Sequence, residues 1–163
     1  MIRVSSSDGT EFSLPEDTAR AFSETIGVMV ENAGDAGDAG DAEDEDGVIP
    51  LPNAESADMQ VFAQFLEICR EHGVSPEFRV DPPMVHPPLS RVVGEALAAL
   101  VGGMSERSLL SVIAMADYLS SPVLLQVAAA ELGLRIRNWE HDELKEKLYS
   151  PPKAEETRPT DAT

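Results

Sequence analysis

Ile2 and Val4 alternate with Arg3 and Ser5, and Phe12 and Leu14 alternate with Glu11 and Ser13. A period of two is that of a half-buried strand, and Asp8-Gly9 between the two runs is a hairpin signal. The period changes at Pro15-Glu16-Asp17, where proline suits a first helical turn and acids suit its positive end. Ala19, Phe22, Ile26 and Met29 then step by three and four, which predicts one helix packed on the sheet. Val48 to Asn53 resumes as a strand, and its two prolines, lacking N–H groups, confine it to a sheet edge or a short length.

Met59, Phe62, Leu66 and Cys69 mark the next helix, with Asn53 or Ser56 as its cap and Gly73 at its end. Residues 74–88 hold five prolines and no period, and are predicted to be a linker. Leu89 to Val101 is predicted as one helix ended by Gly102-Gly103. Ser105 caps another that runs through Leu109, Ile113, Ala116 and Leu119. Ser121-Pro122, a cap followed by proline at the first helical position, opens a helix through Leu124, Val127 and Ala128 to about Ile136. A short helix from about Glu140 carries Leu144 and Leu148 on one face, and the polar stretch after Ser150 is expected to fray. The two helices between Ser105 and Ile136 are apolar on more than one side, so they are either buried or await a partner.

Composition narrows the picture. The 163 residues are 42% apolar, enough for the core of one domain, and the 5% aromatic content leaves that core mainly aliphatic. Lys and Arg number 12 against 30 Asp and Glu, a formal charge of −18. Such a chain repels phosphate backbones and anionic lipid, which predicts no nucleic-acid and no membrane partner. No uninterrupted apolar run approaches the ~20 residues of a membrane span. The lone Cys69 and the lack of an apolar leader run point to a reducing, intracellular setting.

Glu31 to Asp46 holds eight acids, no base and near-copies of Gly-Asp-Ala, and is predicted to be a disordered acidic loop over about residues 31–46. Carboxylates recur at Asp41, Glu43 and Glu45, but the glycine and the bidentate acid of a calcium loop are missing. His72, His86 and His141 are scattered, with none at ligand spacing to Cys69. There is no phosphate-cradling glycine loop, no nucleophile elbow and no carboxylate pair beside a base. The expectation is a protein that is not an enzyme, with no metal and no cofactor.

Ser6-Ser7-Asp8-Gly9 with Phe12, Ser23-Glu24-Thr25-Ile26, an acidic loop, Ile49-Pro50-Leu51-Pro52-Asn53, Ala116-Asp117-Tyr118-Leu119 and Leu124-Leu125 occur in that order. The ordered set, with Asp142-Glu143-Leu144-Lys145 near its end, resembles the S-phase-kinase-associated adaptor family of SCF ubiquitin ligases over about residues 2 to 149. The resemblance implies an α/β fold of BTB/POZ type: a small sheet flanked by helices, with a C-terminal helical extension. It implies a BTB/POZ-like domain over residues 1–119, an F-box-binding extension over 120–149 and a flexible tail over 150–163. It further implies a non-catalytic adaptor that bridges a cullin and an F-box protein, in cytoplasm and nucleus.

Asp117 and Tyr118 match positions that the family uses at its cullin surface; the alternative for Tyr118 is internal packing with its hydroxyl at the surface. For the F-box, the apolar helix offers a groove wall of Leu124, Val127 and Ala128. The last short helix adds Leu144 and Leu148, with Trp139 as the large aromatic anchor. The chain departs from the family in three places. Asp117 stands where asparagine is usual, Leu97 and Ala98 replace a Trp-Asp pair, and Pro151-Pro152 begins a polar end in place of an acid-rich closing tail. Two other readings are a scaffold in a non-ligase complex with an F-box-like partner, and a self-associating BTB module, a homodimer.

Overall fold

The central strand β1 (Ile2–Ser5) pairs antiparallel with β2 (Glu11–Leu14), Val4 opposite Phe12, and parallel with β3 (Val48–Pro50), Val4 opposite Ile49. The computed structural model describes residues 1–35, 47–81, 88–137 and 139–149. The sheet order β2-β1-β3 leaves β3 at an edge, where Pro50 removes no ladder bond that a neighbour needs. Val4, Leu14 and Leu51 are fully buried and face the helices. The hairpin turn is held by side chains as well as backbone. Asp8 Oδ1 accepts from Ser6 Oγ at 2.6 Å and from the Thr10 amide at 3.0 Å, and Gly9 takes the positive φ of 83°.

Hydrogen bonds from the Ser56, Ser6 and Thr10 side chains and the Thr10 amide hold the Asp8 carboxyl well below the usual carboxylate range. A depressed folded pKa adds stability that is complete above the unfolded value and disappears as pH falls through the folded one. Asp8→Asn should therefore melt below the parent at pH 7, with the gap in Tm narrowing as the pH drops below 3.8. Thermal melts at a series of pH values check this, and a gap that does not change with pH contradicts it.

One helix was expected between Pro15 and the acidic loop; the chain makes two, α1 (Glu16–Phe22) and α2 (Glu24–Asp35). Ser23 divides them. Its extended backbone frees its hydroxyl to accept from the Ile26 amide at 3.1 Å, as an N-cap does for the following helix. α2 reaches Asp35, so the first five residues of the expected disordered loop are helical, and residues 36–46 lie outside the described residues.

α3 (Ser56–His72) ends at Gly73 with a left-handed φ of 62°, as expected. Its N-cap is Glu55, with no side-chain cap bond from Asn53 or Ser56. Phe62 and Phe65 from α3 stack at 6.1 Å, and Phe22 meets Phe65 edge-on at 5.5 Å. Cys69, on the same face, is 1% exposed, and burial pushes its thiol up to about 12. At pH 8 a maleimide or iodoacetamide reagent should leave the folded chain unlabelled and label it fully in urea. Rapid native labelling would place the thiol outside the core.

The expected linker 74–88 is in part core. Val74, Phe78 and Val80 pack against it, while residues 82–87 lie outside the described residues. The single helix expected from Leu89 is likewise two, α4 (Leu89–Val93) and α5 (Glu95–Gly102), broken at Gly94, whose φ of 85° only glycine adopts without strain. α6 (Glu106–Tyr118) and α7 (Pro122–Ile136) follow as expected, Ser105 Oγ capping α6 by accepting from the Ser108 amide. α8 (His141–Leu144) opens with a reciprocal Glu140–Glu143 capping box and runs into a wider turn, Lys145–Tyr149. Residues 150–163 lie outside the described residues. Among the described residues no single helix is long and apolar enough to cross a membrane.

Candidate partner-binding surfaces

The turn between α6 and α7 is pinned to the break between α1 and α2. Ser23 Oγ donates to the Leu119 carbonyl at 2.6 Å in a buried bond, and Thr25 Oγ1 donates to the Tyr118 carbonyl at 3.1 Å. The Glu24 amide donates to the Ser120 carbonyl at 3.4 Å, and Ser120 itself has a positive φ of 49°, uncommon for serine. Two segments that stand almost a hundred residues apart thus fix each other, and the Tyr118-Leu119-Ser120 backbone has one geometry. Asp117 is exposed here, and Tyr118 is half-buried with its ring against the core.

A cleft of about 330 Å³ opens beside this turn between Glu24, Asp117, Ser120, Ser121 and Pro122. Asp117 lies in the last turn of α6, which carries no basic residue. The sequence expectation that Asp117 and Tyr118 share a surface region is compatible with this arrangement.

The expected F-box wall needs correcting. Leu124, Val127 and Ala128 are fully buried, because α7 packs that face on α5 and α6. More generally, the apolar excess from Ser105 to Ile136 is mostly core: Leu109, Val112, Met115 and Leu132 are buried as well. The accessible face of α7 is rotated from the expected one. Leu125, Gln126, Ala129, Ala130 and Leu134 line a groove of about 460 Å³ with Val80 as its other wall. The Val80 amide donates to Gln126 Oε1 at 2.8 Å, which ties the two walls together. Trp139, Leu144 and Leu148 are half-buried and are not among the residues lining this groove. The Lys147 ammonium sits 4.4 Å from the Trp139 ring centroid, a cation–π contact that covers one face of the expected anchor.

Sequence reasoning missed three polar residues that hold these surfaces in place. Ser23 was read only as part of the Ser23-Glu24-Thr25-Ile26 motif, although a serine just before an apolar-periodic run fits a helix cap. Asp58, buried on α3, accepts from Ser111 Oγ on α6. Arg135 on α7 donates to the carbonyls of Met104, Gly102 and Val101, so it caps the C-terminal end of α5, and its Nε meets Glu131 at 2.7 Å. Among the described residues no three His, Cys, Asp or Glu side chains come close enough to hold a metal ion.

Residues 1–74 match the tetramerisation domain of the Skp1 family. An S-phase kinase-associated protein 1 homolog of Tetrahymena thermophila is 25% identical over 150 residues, covering 92% of this chain and 82% of the relative. The match and the relative agree with the small sheet and surrounding helices as a BTB/POZ-like α/β fold with a C-terminal helical part.

Proposed function

From its similarity to the Skp1 family, we propose that this chain is a divergent member that bridges a cullin and an F-box substrate receptor in an SCF-type ubiquitin ligase. In this reading the chain, like the family it resembles, is a non-catalytic adaptor and not an enzyme. The observation that carries the bridging reading is the locked α6–α7 turn with exposed Asp117 and half-buried Tyr118, at one end of the same helix α7 whose outer face is the groove beside Val80. One helix thus links two separate surfaces, each of the kind a helical partner can use: an aromatic beside a helix end, and an apolar groove. In this reading the cullin meets Asp117 and Tyr118. The F-box helix lies along Leu125 and Leu134, with Trp139, Leu144 and Leu148 extending the contact from the last helix. Cytoplasm and nucleus are the compartments in which this assembly works.

Affinity purification of the tagged chain from its source cell, followed by mass spectrometry, tests the reading. A cullin and F-box proteins recovered together support it. Recovery of F-box-like proteins without a cullin favours a non-ligase scaffold, and recovery of the chain alone as an oligomer favours self-association. Tyr118→Ala should weaken capture of the cullin by ~2 kcal/mol while leaving the melting transition and F-box capture close to the parent's. An equal loss of folding and cullin binding would return Tyr118 to the core.

A further inference from the structure

The sheet has two edges, and they are not alike. At one, β3 carries Pro50, whose missing N–H blunts the edge. At the other, β2 holds neither proline nor lysine, and among the described residues no strand pairs with its outer side. In an antiparallel pair, residues that bond the neighbouring strand alternate with residues whose N–H and C=O point away from it. The Ser6 amide bonds the Thr10 carbonyl at 2.9 Å, whereas the Ser5 carbonyl turns the other way and accepts from the Leu51 amide at 2.7 Å. Ser5 stands opposite Glu11 and Arg3 opposite Ser13, so the alternation leaves the backbone groups of Glu11 and Ser13 on the open edge. A pocket of about 400 Å³ adjoins that edge, between Ser13 and Pro15 on one side and Ala63, Gln64, Glu67 and Ile68 of α3 on the other. Ala63 and Ile68 are half-buried apolar walls, and Glu67 is already paired with Arg70. None of these residues lines the cleft at the α6–α7 turn or the groove of α7.

We infer that the open edge of β2 takes up an extended segment of a partner protein as a fourth strand, antiparallel to β2, with the order apolar-x-x-basic. Open ladder groups are met by the backbone of another strand, and alternate side chains give such binding its specificity. The incoming residue opposite Leu14 shares its face, the helix side of the sheet, where Ala63 and Ile68 offer apolar surface. The next residue, opposite Ser13, shares the other face with Arg3, which disfavours a cation there. Three residues after the apolar one, the residue opposite Glu11 lies beside an exposed carboxylate, and a lysine or arginine makes a cross-strand pair. The charge of −18 favours the same cation, and it opposes a second copy of this chain as the occupant. The inference does not depend on the cullin or F-box reading.

The probe is the peptide acetyl-Gly-Leu-Thr-Val-Lys-Gly-amide, titrated into the isotope-labelled full chain and followed by amide NMR. Shifts should saturate and centre on Glu11 to Leu14, Ala63 and Ile68. The Glu11 and Ser13 amides, open to hydrogen exchange in the free chain, should become protected. N-methylation of the peptide threonine removes one ladder bond to Ser13 and should weaken binding about fivefold. Glycine in place of the peptide leucine empties the pocket and should weaken it about tenfold. Glutamate in place of the peptide lysine should cost about two- to fivefold, and Glu11→Lys in the chain should reverse that preference. Shifts that grow linearly over the whole acidic surface, or equal binding of the N-methylated peptide, overturn the inference. A Ser13 amide already protected in the free chain overturns it as well, since the chain itself or a second copy then covers the edge.

Discussion

Leu124→Ala should destabilise the chain by ~2–5 kcal/mol, the cost of emptying a leucine-sized site in a packed core. Leu124 is fully buried between α7 and the helices beneath it, and the residues around it, among them Val127 and Ala128, are equally enclosed and cannot collapse far into the space. One residue on, Leu125 faces the groove and is half-buried. Leu125→Ala should keep the parent's unfolding midpoint within about 1 kcal/mol, the range of a partly exposed truncation, and still weaken capture of an F-box peptide by ~2 kcal/mol. Urea denaturation and peptide titration on the same two preparations read both effects. Should Leu124→Ala fold as well as the parent while losing the peptide, the rotation assigned to α7 is wrong.

Arg135→Ala should be nearly as costly. The guanidinium, 21% exposed, satisfies carbonyls at the end of α5 and in the turn after it, and pairs with Glu131, itself only 16% exposed. Truncation leaves those acceptors open and a partly buried carboxylate without its cation. Charge-assisted bonds of this kind are each worth ~1.5–3 kcal/mol when lost, and because they share one donor group the whole change should come to ~2–3 kcal/mol. Arg135→Lys should recover less than half, because an ammonium on a single stem cannot reach several carbonyls and a carboxylate in the fork geometry. Urea midpoints of the three proteins decide it; full rescue by lysine would reduce Arg135 to a point charge.

The strands and most helix ends were legible in the sequence because each rests on a local rule. Alternation at Ile2–Val4 and Phe12–Leu14, Gly73 after α3, Ser105 before α6 and Pro122 at the start of α7 act within a few residues of themselves. The breaks at Ser23 and Gly94 were not read. Ser23 breaks its helix partly because its hydroxyl finds the Leu119 carbonyl, ninety-six residues away, and no local window contains that partner. The candidate site divided in the same way. Asp117 and Tyr118 fall beside a turn that can be recognised from Ser121-Pro122. The wall of the groove could not be read, because α7 is apolar on several faces and its periodicity does not say which face the core takes. Packing on α5 and α6 chose the face of Leu124, Val127 and Ala128 and left that of Leu125 and Leu134 accessible. The closing helix was placed by sequence, but the Lys147–Trp139 contact that covers its aromatic was not.

Reconstitution from purified parts tests the bridging claim most directly. The full chain is mixed with the N-terminal helical repeats of a cullin from the same cell and with an F-box fragment, and the mixture is resolved by size-exclusion chromatography with mass measurement. The account predicts one species containing all three in equal number, with the cullin and F-box fragments failing to co-elute when the chain is left out. Elution in which the chain carries either fragment but never both, or neither of them, contradicts it.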